Sequence, residues 1–266
     1  MGWGSSTDWE RQSAVAVHDE TAERFAREYG GERDYHEDAF LYGRHFIDQH
    51  WQRCVDAVPT EGRVLDIGCG VGEYLSRLEG QGLSLQGIEP STEMRLRAEE
   101  RLPKGTVQDG SVLSLPFADD TFDFAYSIEV FRYLNATDND AGHREVLRVL
   151  KPGGVYFGTY VNRFAADGFV ALVGLRKLRH ALTRSGLKCH TEFETPGSLR
   201  RGLTRTGFND VELHGAMLAP VRIAYRLRVG RPVARWVDSA EPWTGANPLL
   251  KALAGHLIAI AHKPLR

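Results

Sequence analysis

Three glycines, Gly68, Gly70 and Gly72, follow an apolar run of Val64, Leu65 and Ile67 that carries one carboxylate, Asp66. A strand entering a glycine turn and then a helix exposes bare backbone to a ligand, because glycine tolerates positive φ and has no Cβ. Amides at the start of a helix favour an anion or an electron-rich group. A second apolar run, residues 83–88, ends on Glu89. A carboxylate at the end of the second strand can accept both hydroxyls of a ribose. These features call for a nucleoside cofactor at the carboxyl edge of a parallel sheet. A dinucleotide fingerprint, G-x-G-x-x-G/A, needs a small third residue for close helix–strand packing. Glu73 stands there instead, and its carboxylate would repel a pyrophosphate.

The segment VLDIGCGVGEYL, residues 64–75, resembles motif I of class I S-adenosylmethionine-dependent methyltransferases. Three later segments resemble that family in order and spacing: GSVLSLPFADDTFDFAYS at 110–127, LRVLKPGGVYFGTY at 147–160 and TPGSLRRGLTRTGFNDVELHG at 195–215. The resemblance covers roughly residues 60–215. It implies S-adenosylmethionine as cofactor and S-adenosylhomocysteine as product. It also implies an α/β, Rossmann-like, doubly wound sheet of seven strands, mostly parallel, with an antiparallel last strand between the fifth and sixth. Carried over by position, Asp66, Gly68 and Gly70 hold the amino-acid portion of the cofactor. Glu89, followed by Pro90, takes the ribose, and Met94 packs near the adenine. Many relatives have Gly-Asp-Ala where this chain has Gly110, Ser111 and Val112, so Ser111 replaces the usual adenine-amino acceptor. Ser127 is expected beside the methionine moiety, and Tyr29 as a lid over the cofactor.

Methyl transfer from a sulfonium is an in-line displacement, and the protein contributes mainly alignment and desolvation. The candidates for a base are His36, Glu129, Tyr133 and His190, with His18 and His45 behind them. Relatives often carry a histidine shortly after the fourth strand, where this chain reads EVFRYL, 129–134. No histidine–carboxylate cluster suggests a metal.

The elements that must position these residues follow from periodicity. Ala22, Phe25, Ala26 and Tyr29 mark an amphipathic helix over 19–29, after a frayed stretch at 1–10. A second helix spans about 36–58 and Pro59 closes it. Regular β–α alternation then gives a parallel sheet with right-handed crossovers. The expected divisions are an N-terminal helical cap (1–59), a cofactor-binding core (60–160), a basic helical insert (161–194), a core helix and strand (195–214), a lid or interface insert (215–255) and a last strand (256–266). Prolines and glycines should break 215–255 into short helices.

At 266 residues, 42% hydrophobic and 26% charged, the chain has the composition of a globular protein with a full core. No apolar run approaches the 18 or so residues that span a bilayer. The start, MGWGSSTDWERQ, is polar and does not read as a secretory leader. Cys54, Cys69 and Cys189 are odd in number and widely spaced, which suits a reducing cytoplasm. A net charge of −2 conceals a basic section, residues 163–235, with 14 basic and 5 acidic groups. The chain lacks an Asn/Asp-Pro-Pro-Tyr motif after the fourth strand, which argues against a nucleic-acid substrate. The expected function is methyl transfer to a small-molecule acceptor, with oxygen ahead of carbon or nitrogen. An anionic or lipid-linked acceptor (quinone, lipid or saccharide) is the runner-up, and a non-catalytic partner subunit the rival from another class. Stable membrane insertion is not expected; a homodimer is compatible with the second insert.

Overall fold

The computed structural model describes residues 6–29, 34–183, 191–217, 220–244 and 252–265. Cys189 and His190 lie outside them. Seven strands form one sheet in the order β3-β2-β1-β4-β5-β7-β6. They are β1 (Arg63–Ile67), β2 (Ser84–Ile88), β3 (Val107–Gln108), β4 (Phe122–Ser127), β5 (Leu150–Val161), β6 (Asn209–Ala216) and β7 (His256–His262). The first five run parallel, and β7 is antiparallel to both β5 and β6. The sheet order reverses between β1 and β4, and such a switch point opens a crevice at the carboxyl ends of the strands.

Strand alternation sorts the core into two layers. Val64, Phe124, Tyr126, Phe157 and Ile258 pack with Ile47, Trp51 and Val55 of α2 (Ala39–Asp56) and with Tyr74 of α3 (Glu73–Ser76). Leu65, Ile67, Ala125, Tyr156 and Leu257 turn the other way, toward Val146 of α5 (Ala136–Val149) and Leu199 and Leu203 of α7 (Pro196–Thr206). Side chains cap the helices that flank the site. Asp38 accepts from the amides of Phe40 and Leu41 to start α2, and Ser91 accepts from Met94 to start α4 (Thr92–Glu99).

Two expectations about elements change. Helix α1 begins at Ser6 and runs to Tyr29, so residues 6–10 are helical. Its first half lacks the apolar periodicity that marks residues 19–29 and is tied by Arg11, 3.8 Å from Asp138 of α5, and by His18, whose ring meets Tyr133 of the 3-10 turn Phe131–Tyr133 at 4.9 Å. Strand β5 starts at Leu150 and takes in the Pro152-Gly153-Gly154 segment as an irregularity in the pairing with β4. In the second insert, α8 (Val221–Arg226) is short, but α9 runs from Gly230 to Thr244. Pro232 falls in its first turn, where no amide hydrogen is needed. The first insert contributes α6 (Phe169–Thr183).

Candidate active site

A cavity of about 980 Å³ lies over the carboxyl ends of β1, β2 and β4, under a roof of α1 and α2. That is the upper end of the range for small-molecule sites. Its floor is the glycine turn. The amides of Gly68 and Cys69 donate to the Ile88 carbonyl at 2.8 and 3.0 Å, which locks the turn to β2. Gly70 has φ +54°, and a Cβ built there would meet nothing within 4 Å. Gly70 lines the cavity, so such a side chain would stand in ligand space. A Cβ at Gly72 would strike Leu102 at 2.7 Å, so this third glycine serves helix packing.

Glu89 joins the two ends of this floor. Its carboxylate accepts from the Gly70 amide at 2.9 Å and the Ser91 amide at 2.8 Å, one on each oxygen. Each oxygen keeps acceptor capacity. Burial pushes the Glu89 carboxyl up, while the two amides and the Arg95 charge oppose the rise. Asp66 is buried beside it, and desolvation drives its carboxyl well above the usual range. The Tyr126 hydroxyl on the same sheet face offsets this in part, without reaching normal hydrogen-bond geometry. The Ser91 hydroxyl donates to Asp19 at 2.5 Å and so pins α1 across the cleft. Met94 is buried with Val71 and Ala22 of α1. Pro90, Gly110, Ser111 and Val112 complete this half of the lining. The Ser111 hydroxyl accepts from the Leu113 amide at 3.3 Å, whereas Asp109 turns outward to Arg95 at 3.0 Å. Tyr29 ends α1, with its side chain outside the described set; Phe25 and Glu28 of the same turn line the cavity.

Ser127 does not join this group. Tyr126 shares the face of Asp66, so the next residue along the strand must point to the other face. The Ser127 hydroxyl is 2.7 Å from that of Tyr156, within a buried chain that continues through Tyr160 to His143.

Of the proton-transfer candidates, Glu129 and Tyr133 line the cavity and His36 does not. His36 sits in a corner between α2 and α9, 2.6 Å from Asp238 and 3.0 Å from Asp34. His45 stacks on Tyr35 at 3.8 Å in the same corner, and His190 is outside the described residues. Glu129 has φ +63°, a strained conformation for a non-glycine residue of the kind that functional sites retain. Its amide donates to the Thr159 hydroxyl at 2.8 Å. Its carboxylate meets Arg132 and, at 3.2 Å, Nε2 of His256. Burial opposes its charge, but His256 and Arg132 outweigh burial and hold the carboxyl well below its usual range. Glu129 is therefore a fixed anion and a poor proton acceptor near neutrality.

Two histidines face the chamber instead. His18 of α1 places Nδ1 2.7 Å from the Ala14 carbonyl, so Nδ1 carries the proton and Nε2 keeps its lone pair. Burial lowers the His18 pKa, the Ala14 carbonyl and the Asp19 charge oppose this, and Arg132 adds to the lowering. The Tyr133 ring meets His18 edge-on at 4.9 Å. His256 was absent from the sequence-based candidates. A signal for it exists: β7 is antiparallel, so its first residue, not its last, lies at the carboxyl edge of the parallel strands. Its register partner is Val161, the last residue of β5. Beyond the histidines, Arg132 and Arg222 lie over the Phe169 ring at 4.9 and 5.2 Å. Arg222 is anchored to the buried Asp167 at 2.6 Å.

Residues 65–158 match the family model described as a methyltransferase domain. Over that segment the chain is similar to methyltransferases, and its sheet is the fold of solved S-adenosylmethionine-dependent methyltransferases. The chain is 32% identical over 145 residues to sterol 24-C-methyltransferase erg6 of Schizosaccharomyces pombe, a match covering 50% of this chain and 38% of that protein. It is 32% identical over 155 residues to methyltransferase GfsG of Streptomyces halstedii, covering 52% and 54%. The matched segments thus span about half or less of those relatives' own length. Among solved structures, a possible histamine N-methyltransferase from Thermotoga maritima superposes with a TM-score of 0.56 at 20% identity, covering 92% of this chain and 99% of that one. The [4+2]-cyclase SpnF superposes with 0.62 at 23% identity, covering 95% and 96%. One fold therefore carries different chemistries, and activity must be argued from the site.

Proposed function

We propose that this chain transfers a methyl group from S-adenosylmethionine to a largely apolar small molecule. The observation that carries the proposal is the single cavity in which the Gly70–Glu89 cradle opens directly onto His18, Tyr133 and His256. The residues present fit the cofactor: open space faces Gly70, and the buried Glu89 retains acceptor capacity toward two hydroxyls. When bound, the cofactor supplies an electrophilic methyl on a sulfonium. Asp66 would hold its amino-acid end against the bare backbone of Gly68 and Gly70, Glu89 its ribose, and Met94, Ser111 and Val112 its adenine. Helix α1 excludes water from above, which strengthens the electrostatic contacts beneath it. His18 Nε2 is the proton acceptor, neutral near pH 7 and within the chamber. Glu129 accepts from His256 Nε2 and holds that imidazole in place as a positioning residue.

The acceptor side carries Phe40, Ile47, Ile128, Val130 and Leu134, which favours an apolar body. The sequence placed oxygen first as the attacked atom; the relatives named for transfer to sterol carbon 24 bring carbon forward. The two inserts meet through Asp167 and Arg222, and a Cβ at Gly168 would touch Ile223 at 2.5 Å. This supports their acting as one cover, with Arg222 its contribution to the main cavity. Incubation with S-adenosylmethionine and apolar acceptors bearing hydroxyls or double bonds tests the proposal. Acceptor-dependent formation of S-adenosylhomocysteine supports it. Tight cofactor binding with no transfer to any acceptor would favour the non-catalytic subunit.

A further inference from the structure

We infer that the outer face of α6, α8 and α9 docks on an anionic lipid bilayer. Among the described residues ten large hydrophobic side chains are exposed, and six of them lie on these helices or the link between α8 and α9: Leu175, Leu178, Ile223, Leu227, Val229 and Trp236. Leu227 and Trp236 are 68% and 69% exposed, far beyond what a packed helix leaves to water. Leu175 and Leu178, three residues apart, are neighbours on the exposed side of α6. From α8 to the middle of α9 the charge has one sign; further along α9 Asp238 turns to His36, and Glu241 follows in the sequence. Residues 221–236 hold five arginines, at 222, 226, 228, 231 and 235, and no acidic residue. The sequence of α6 likewise contains no aspartate or glutamate. Among the described residues no carboxylate lies within ion-pair distance of Arg226, Arg228 or Arg235.

Leucines and a tryptophan set among arginines match the interfacial zone of a membrane. The apolar groups enter the acyl boundary, the indole sits at headgroup level, and the guanidinium groups meet lipid phosphates. A second copy of this chain fits less well, because a two-fold contact places the same patch against itself and sets arginine against arginine. No helix among the described residues is long and apolar enough to cross a membrane, so the docking is peripheral. A second cavity of about 310 Å³ lies behind this face and shares Ala39 and Arg222 with the lining of the main cavity. On the proposed methyltransferase reading, it gives an acceptor dissolved in the bilayer a path to the site.

The test is cosedimentation of the full chain with vesicles of phosphatidylcholine alone or mixed with phosphatidylglycerol, without cofactor. The expected result is binding to the mixed vesicles only, weakening as salt is raised. The double variant Arg228→Gln/Arg235→Gln should bind about thirtyfold more weakly, at about tenfold per 1.4 kcal/mol and about 1 kcal/mol per arginine. The variant Leu227→Ser/Trp236→Ser should lose the part of the binding that resists salt. Both variants should bind S-adenosylmethionine like the parent chain, which shows that they fold. Because vesicle binding needs no cofactor, its outcome is separate from that of the methyltransferase proposal. Absence of binding to mixed vesicles, or equal binding by parent and variants, would overturn the inference. So would light scattering that shows a dimer broken by Leu227→Ser/Trp236→Ser.

Discussion

Glu89 has two tasks at one carboxylate, and they separate experimentally. It receives the Gly70 and Ser91 amides, and on our proposal it also receives the ribose. Glu89→Ala should weaken cofactor binding by about 1.5–3 kcal/mol, the range for hydrogen bonds to a charged group. It should also lower the thermal midpoint, because two amides lose their acceptor. Calorimetry and thermal melts on one variant read both effects, and an unchanged affinity would remove Glu89 from the site. His18 makes a second prediction. Its neutral form is the active one, and its pKa lies below 6.5 because it is buried. The turnover rate should therefore fall as pH drops through a value under 6.5. His18→Gln should cost about a hundredfold or more in kcat and abolish that limb. A limb that persists in the variant would move the role to His256. Gly70 and Glu89 were legible in the sequence because glycine turns and strand-end carboxylates are local signals. His256 was not, because its place depends on the direction of a strand about 190 residues further along the chain.

At the scale of elements, α1 decides whether the cleft is closed. One carboxylate, Asp19, holds it to the start of α4 through the Ser91 hydroxyl at 2.5 Å and the Glu93 amide at 3.2 Å. Asp19→Ala should remove about 1.5 kcal/mol of docking and raise the cofactor Kd about tenfold, while the sheet melts as before. Hydrogen exchange should then show α1 amides opening and α5 amides unchanged. Protection of α1 equal to that of the parent would show that apolar contacts alone hold it. The alternation of strands and helices from 60 to 160 was legible because both faces of each parallel strand are buried by local apolar runs. The start of α1 was not, since Arg11 and His18 meet Asp138 and Tyr133, partners distant in sequence. Ser127 shows a related limit. Motif position placed it near the cofactor, but the face of β4 on which its side chain falls is fixed by pairing with β1 and β5.

At the scale of the whole molecule, the buried chain Ser127–Tyr156–Tyr160–His143 ties the sheet to α5 and makes stability depend on pH. His143 is pushed down to about 4 by burial, with the Asp140 charge opposing. Between about 4 and 6.5 the unfolded chain binds more protons than the folded one, so stability rises with pH over that window. This contribution is complete above 6.5 and declines as pH falls toward 4; from pH 7 to 5 the loss is about 2 kcal/mol. Denaturant unfolding at the two pH values checks it, and His143→Phe should shrink the difference. The central claim is that the cavity under α1 is a cofactor site floored by Gly70. Calorimetric titration of the parent chain and Gly70→Val with S-adenosylmethionine, S-adenosylhomocysteine and NAD tests it most directly. The account predicts one site per chain for the first two ligands, none for NAD, and loss of binding in a folded Gly70→Val. Binding of NAD in place of S-adenosylmethionine, or equal S-adenosylmethionine affinity in the two proteins, would contradict it.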